Sequence, residues 1–180
     1  QETPSDAAIR ALRALSLETA DMHLRLAALL YGSQRARDIM DRLRLSIAEV
    51  SDITCLIQCC SEVLQWETVE DYKIREVQYK CNTDDRFNDV MLLAGSISDT
   101  ASKIIEIMRR SSAMIVDGTA MYGYKLPVSG KDIINELGLT PGPMIKECQE
   151  YLLSLAFRNP KFTRQEALSA IQNRILERTV

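Results

Sequence analysis

Glycine and proline are scarce in this sequence. The 180 residues include 7 glycines and 5 prolines, whereas 46% of the residues are hydrophobic. This composition excludes disordered, collagen-like and low-complexity chains, because enough apolar surface is present to offset the entropy lost on folding. Long apolar runs are also absent, and no stretch approaches the roughly twenty uncharged residues of a transmembrane helix. We therefore expect a soluble globular protein that does not span a membrane.

A large excess of one charge is missing as well. The chain carries 22 basic and 25 acidic side chains, which excludes a histone-like, purely electrostatic nucleic-acid binder. The distribution is uneven, with 11 basic and 16 acidic residues in 1–90 but 11 and 9 in 91–180. If the protein meets a polyanion, we expect the C-terminal part to make the contact. A solvated helical surface would explain the same counts.

The cysteine pattern is not that of a disulfide framework or a zinc finger. The odd number, five, and their position inside apolar runs predict reduced core thiols and a cytoplasmic protein. Cys55 and Cys59 are one helical turn apart and could share a metal ion. However, the single histidine, His23, is far away in sequence and no Cys-x-x-Cys pair exists, so the pattern favours core thiols: Cys55, Cys59, Cys60, Cys81 and Cys148.

A complete active site is also missing. No Asp follows His23 directly, so the His-Asp metal motif of phosphohydrolases is absent. Gly130-Lys131-Asp132 has neither the upstream glycines nor the following Ser or Thr of a phosphate-binding loop. We therefore expect no catalytic residue, metal ion or cofactor in this chain.

Helix signals, in contrast, are abundant. A Ser or Thr three residues before a Glu or Asp, directly ahead of an apolar-periodic run, predicts a capping box and a helix start. We assign four such boxes: Ser46 to Glu49, Thr68 to Asp71, Ser129 to Asp132, and Thr163 to Glu166. Apolar residues recur every three to four positions, and convincing alternating strands are absent. The sequence predicts an all-α fold of about eight helices. Ten helical segments are recognised, and the shortest of them could merge with a neighbour: 6–15, 18–31, 35–45, 47–65, 69–80, 85–97, 99–114, 130–137, 141–157 and 164–177.

Turn residues interrupt the helical pattern between Val116 and Ser129. This stretch still carries apolar side chains to bury, so we expect a packed linker rather than a flexible one. The predicted domains are a larger helical bundle over 1–115, the linker over 116–128, and a smaller helical tail over 129–180.

The tail begins with the most distinctive segment, residues 128–143. It predicts a short capped helix that stops at Gly138 and a second helix with Thr140 as N-cap and Pro141 at its first position. The amides of Gly142 and Met144 at that second start could hold a phosphate. Structural capping alone explains the segment equally well.

The same segment resembles the C-terminal part of the class II tRNA nucleotidyltransferase and bacterial poly(A) polymerase family, in which a Gly-x-Asp-Leu pattern precedes Gly-x-x-Pro-Gly-Pro. The resemblance covers nearly all of the chain, but the catalytic head of that family, with its Gly-Ser and Asp-x-Asp motifs, is not in it. Further matching pieces occur in the expected order: 24–30, 42–46 and 163–167.

The resemblance implies a neck, body and tail that clamp tRNA or another RNA. A catalytic head, in cis or as a separate chain, would add nucleotides to the 3′ end with Mg²⁺ and a nucleoside triphosphate. Basic side chains would contact the RNA backbone. Most of the candidates for this contact lie in or near the tail, and two weaker candidates, Arg42 and Arg44, lie in the body. The tail candidates are Lys125, Lys131, Lys146, Arg158, Lys161 and Arg164.

Two other interpretations remain open. A helical protein-interaction module would show a large exposed apolar patch and no RNA affinity. A degenerate His-Asp phosphohydrolase bundle would hold a metal ion near His23.

Overall fold

Ten helices make up the described part of the chain in a computed structural model, which describes residues 6–18 and 21–179 and shows no strand there. The all-α prediction is confirmed, and the shortest predicted segments stay separate. No helix in these ranges is both long and apolar enough to cross a bilayer. The helices are α1 (Asp6–Glu18), α2 (Met22–Leu30), α3 (Ala36–Arg42), α4 (Ile47–Gln65), α5 (Asp71–Cys81), α6 (Asp84–Ile97), α7 (Ala101–Val116), α8 (Gly130–Leu137), α9 (Pro143–Arg158) and α10 (Arg164–Thr179).

Three of the four predicted capping boxes form. In each, the Ser or Thr hydroxyl accepts from the backbone amide three residues on, and its own backbone amide donates to the carboxylate of that residue: Ser46 with Glu49, Ser129 with Asp132, and Thr163 with Glu166. The box predicted at Thr68 is wrong, because α5 begins at Asp71 after the N-cap residue Glu70. The Thr68 hydroxyl instead donates to the Glu70 carboxylate at 3.2 Å. Of the helix predicted over 18–31, residues 19–20 lie outside the described residues.

The first hydrophobic core belongs to the helices before the linker, which we call the body. α1, α2, α4 and α6 pack against one another, and their apolar stripes meet in one cluster. Its fully buried large side chains include Leu15, Leu24, Ile53 and Phe87. Most of the apolar positions that gave the helical period are therefore turned inward.

The second core belongs to α8, α9 and α10, which we call the tail. Ile133, Leu152 and Ile171, one from each helix, are fully buried together with Met121 of the linker. Tyr72 of α5 packs on the edge of this cluster. The linker thus contributes side chains to the tail core rather than running free over the surface.

Two polar side chains of α5 join body, linker and tail. Gln78 is fully buried, donates to the Ser111 hydroxyl at 2.9 Å and accepts from the Met121 amide at 3.1 Å. Arg75 donates to the carbonyl of Thr119 at 3.3 Å and to that of Phe157, near the end of α9, at 3.0 Å. These bonds hold the linker and the C-terminal end of α9 against α5.

Replacing Arg75 by methionine is expected to lower the free energy of unfolding by about 1 to 2 kcal/mol, because two partly buried carbonyls lose their donor while the apolar volume is kept. Denaturant unfolding of the full chain measures the change. The matched control is Arg109→Met, whose guanidinium is 66% exposed and pairs with Glu106 at the surface. Equal losses in both variants would contradict the role given to Arg75.

The hairpin between α8 and α9 differs from the prediction at its second helix. Gly138 ends α8 in the left-handed region, at φ 64°, as its position predicts. α9, however, begins at Pro143 with Gly142 as its N-cap, not at Pro141 after Thr140. The residue before a proline is disfavoured in the helical region, which keeps Gly142 extended and delays the start. Gly142 as N-cap and Met144 in the first turn still stand at the start of α9, so the phosphate cradle of their amides stays a prediction.

Candidate nucleic-acid interface

The start of α8 packs against the start of α9, and the start of α10 is tied to α8. A Cβ on Gly130 would lie 3.2 Å from Cγ2 of Ile145, so the backbone of α8 approaches α9 closely there. Nη2 of Arg164, at the start of α10, lies 3.1 Å from the Asp132 carboxylate and 3.0 Å from that of Glu136. These contacts join the starts of α9 and α10 to α8.

Three predicted site residues lie within three positions of these contacts: Lys131 follows Gly130, Lys146 follows Ile145, and Lys161 precedes Arg164 by three. We call Lys131, Lys146 and Lys161 the lysine edge. All three side chains are exposed. Within the described ranges Lys131 and Lys161 form no ion pair, and Lys146 lies 3.7 Å from Glu150 with both side chains largely in solvent. Such an exposed pair is weak, so all three ammonium groups remain open to an anion.

Arg164 stands beside the lysine edge but is engaged internally. Its guanidinium bridges the Asp132 and Glu136 carboxylates of α8. The Ser129 hydroxyl and amide, together with this guanidinium, lower the pKa of Asp132. Arg164 thus serves to hold α10 against α8, and its positive charge is largely compensated.

Arg158 is the last residue of α9 and precedes Lys161 by three positions. Its guanidinium stacks 4.3 Å from the centre of the Tyr72 ring, beside an open cavity of about 470 Å³. Arg75 and Arg110, which sequence reasoning missed, also line this cavity. Arg110 is paired with Asp71 at 3.2 Å, and Arg75 with backbone carbonyls. Within the described ranges, Arg158 has neither a carboxylate nor a carbonyl partner, and its guanidinium contacts the Tyr72 ring.

The remaining predicted residues lie apart from the lysine edge in the chain. Lys125 is exposed in the linker and forms no ion pair with a described residue. Arg42 ends α3, and Arg44 follows it in a turn with φ 56°. The adjacent Leu43 and Leu45 line a groove with residues of α1 and α2, so this turn belongs to the body.

The protein-interaction alternative predicts a large exposed apolar patch, and this groove is a smaller apolar feature of the body surface. It encloses about 440 Å³ on the body surface, and Met22 and Leu43 in its wall are 60% and 54% exposed. Its remaining lining is apolar apart from Arg25. The body therefore offers an apolar surface, while the tail offers a basic one.

His23, the residue of the phosphohydrolase alternative, lies on α2 with its Nε2 atom 3.7 Å from the Glu49 carboxylate. Among the described residues, three potential metal ligands converge at one place only, and it does not include His23: there the sulfurs of Cys55, Cys59 and Cys81 lie within 4.8 Å of one another. Sequence reasoning paired the first two and missed Cys81, because only the packing of α5 on α4 brings it there.

Comparison of the chain with protein-family models, with curated proteins and with solved structures finds no match. The resemblance to tRNA nucleotidyltransferases stays a prediction from the quoted residues, and the lysine edge stands on its geometry alone.

Proposed function

We propose that this chain is the RNA-positioning helical portion of a template-independent tRNA nucleotidyltransferase or poly(A) polymerase. The observation that carries the proposal is the lysine edge: three exposed lysines on α8, on α9 and in the turn before α10, whose ammonium groups are unpaired or only weakly paired within the described residues. The family resemblance of the same segment supports it. Nucleotide addition would belong to a catalytic head outside this chain, together with its Mg²⁺ and triphosphate.

Lysine ammonium groups on rigid helices suit this task. Contacts to phosphates fix the register and orientation of a nucleic acid without reading its sequence, and an A-form stem is recognised by its shape. The ion pairs from Arg164 to α8 keep the helices that carry the lysines in one arrangement. Binding should therefore be salt-sensitive and largely independent of base sequence.

Replacing Lys131, Lys146 and Lys161 together by glutamine is expected to weaken tRNA binding by the purified chain roughly tenfold at about 50 mM salt. The slope of log affinity against log salt should become shallower by about 2, since each lost phosphate contact removes about 0.7 to 0.9. Filter binding or fluorescence anisotropy over a salt series measures both quantities.

The matched control is a triple variant that removes three positive charges from the body instead. It replaces three exposed arginines by glutamine: Arg10→Gln, Arg35→Gln and Arg37→Gln. It should leave the affinity and the slope near those of the unaltered chain. A DNA duplex of equal length tests shape recognition and should bind more weakly than the tRNA. Absence of tRNA binding at low salt, or equal effects of the two triple variants, would overturn the proposal.

The apolar groove of the body favours a second candidate function, the binding of a partner helix through its apolar face. The exposed Met22 and Leu43 side chains carry this candidate. The double variant Met22→Ser with Leu43→Ser distinguishes this candidate from RNA binding. It should abolish binding of a partner helix, and it leaves every candidate basic residue in place. Under the first proposal these two changes leave tRNA affinity unaltered.

A further inference from the structure

Three cysteine sulfurs converge on the side of the body where α4 packs against α5. Cys55 and Cys59 are one turn apart on α4, and their Sγ atoms are 3.9 Å apart. Cys81 is the last residue of α5, and its Sγ lies within 4.8 Å of both. Cys59 and Cys81 are buried, with 1% and 3% of their surfaces exposed, whereas Cys55 is partly exposed.

We propose that Cys55, Cys59 and Cys81 form a binding site for one thiophilic metal ion, of the Zn²⁺ or Cu⁺ class, held by three thiolates. The site is independent of the proposed RNA-binding role and contradicts the expectation that the chain binds no metal. Soft thiolate ligands select these ions, and a fourth position on Zn²⁺ can be filled by solvent.

The spacing of the sulfurs fits a metal better than a disulfide. Two thiolates on a tetrahedral Zn²⁺ with bonds of about 2.3 Å lie about 3.8 Å apart. The Cys55 and Cys59 sulfurs, at 3.9 Å, already stand at this separation. A spacing of four residues on a helix places both ligands on one face, as in helical metal sites built from two histidines.

An entry path and a favourable charge environment accompany the three sulfurs. Cys55 lines an open depression of about 360 Å³ whose other walls come from the start of α4 and from Arg37. The positive charges of Arg86 and Lys80 lie near Cys55 and favour its thiolate form.

Metal binding requires all three cysteines to be deprotonated. Each cysteine that is a thiol before binding loses its proton to solvent when its metal–sulfur bond forms, so metal binding should release protons and strengthen as the pH rises. The bound ion would also join the C-terminal end of α5 to the middle of α4.

The experiment titrates the reduced, metal-free chain with Co²⁺ as a spectroscopic substitute for Zn²⁺, and separately with Cu⁺. We expect one ion per chain, a thiolate-to-metal charge-transfer band, and visible bands of tetrahedral Co²⁺ that Zn²⁺ abolishes by competition. Release of protons on Zn²⁺ binding in weak buffer, up to three per ion, is the second readout. Cu⁺ binding without Zn²⁺ or Co²⁺ binding would support a three-coordinate site.

Cys55→Ser, Cys59→Ser and Cys81→Ser should each weaken binding about 100-fold or more, since loss of a ligand exceeds the effect of losing its supporting groups. The matched control is Cys60→Ser, because Cys60 is a fully buried thiol next to Cys59 that lies outside the cluster. It should keep the affinity, as should Cys148→Ser in the tail. Circular dichroism verifies that each variant is folded.

Two results would overturn the proposal. One is a chain that binds neither Zn²⁺, Co²⁺ nor Cu⁺ when fully reduced. The other is binding that survives in Cys81→Ser, or that is lost equally in Cys60→Ser, because the metal would then not be held by this cluster.

Discussion

Replacing Phe87 by alanine is expected to lower the free energy of unfolding of the body by about 3 to 5 kcal/mol. The ring is fully buried in α6, at the centre of the first hydrophobic core. It also meets the Tyr122 ring of the linker edge to face, with centroids 6.0 Å apart. The substitution removes both the buried area and the aromatic contact, and it leaves a cavity that rigid helices fill only in part.

Urea unfolding monitored by the fluorescence of Trp66 measures this loss, because the single tryptophan packs against the same core. The transition midpoint should fall with an unchanged slope. Phe87→Leu is the graded control and should lose about 1 to 2 kcal/mol, since it keeps most of the apolar volume. A loss below about 1 kcal/mol for alanine would mean that Phe87 is not the central packing residue.

Helix starts could be predicted from the sequence where the cap is a local interaction. Ser46, Ser129 and Thr163 each find their partner three residues away, so no tertiary contact is needed. The caps at Asp21 and Thr83 were missed because no carboxylate follows at the third position. Thr68 has the right pattern but lies two residues before the actual cap, in a backbone that is still extended at Glu70.

The sequence shows which basic residues the tail contains, but it does not show which of them are paired with a carboxylate. Whether a lysine or arginine is open to an anion depends on carboxylates that packing brings near. Arg164 is compensated by Asp132 and Glu136, which precede it by 32 and 28 positions. Lys131 and Lys161 have no such neighbour in the described ranges. Helix periodicity gives no information on pairs that are so distant in sequence.

The cysteine cluster shows the same limit. Cys55 and Cys59 share a helix face, which their spacing predicts, but two ligands do not make a site. The third sulfur arrives only because α5 packs on α4 and ends at Cys81, with the following Asn82 in the left-handed region at φ 64°. A search of the sequence for histidines and Cys-x-x-Cys pairs therefore misses a group of metal ligands that tertiary packing brings together.

The second large effect is expected at Gln78, which joins α5, α7 and the linker. Gln78→Leu should lower the free energy of unfolding by roughly 1 to 3 kcal/mol, although leucine is apolar and of similar size. The Met121 amide, whose residue is fully buried, loses its acceptor, and the Ser111 hydroxyl loses its donor. An unsatisfied buried donor is destabilising because no water replaces its partner.

A double-mutant cycle separates these bonds from simple packing. Ser111→Ala removes one partner, so the loss in the double variant Gln78→Leu with Ser111→Ala should be smaller than the sum of the single losses. Amide hydrogen exchange gives the local readout, and Met121 should exchange faster in Gln78→Leu while Ile53 in the body core does not. Because the Met121 amide anchors the linker that leads to α8, its release would loosen the entry to the tail before the body unfolds. Uniform acceleration at both sites would show instead that Gln78 supports only the global stability of the fold.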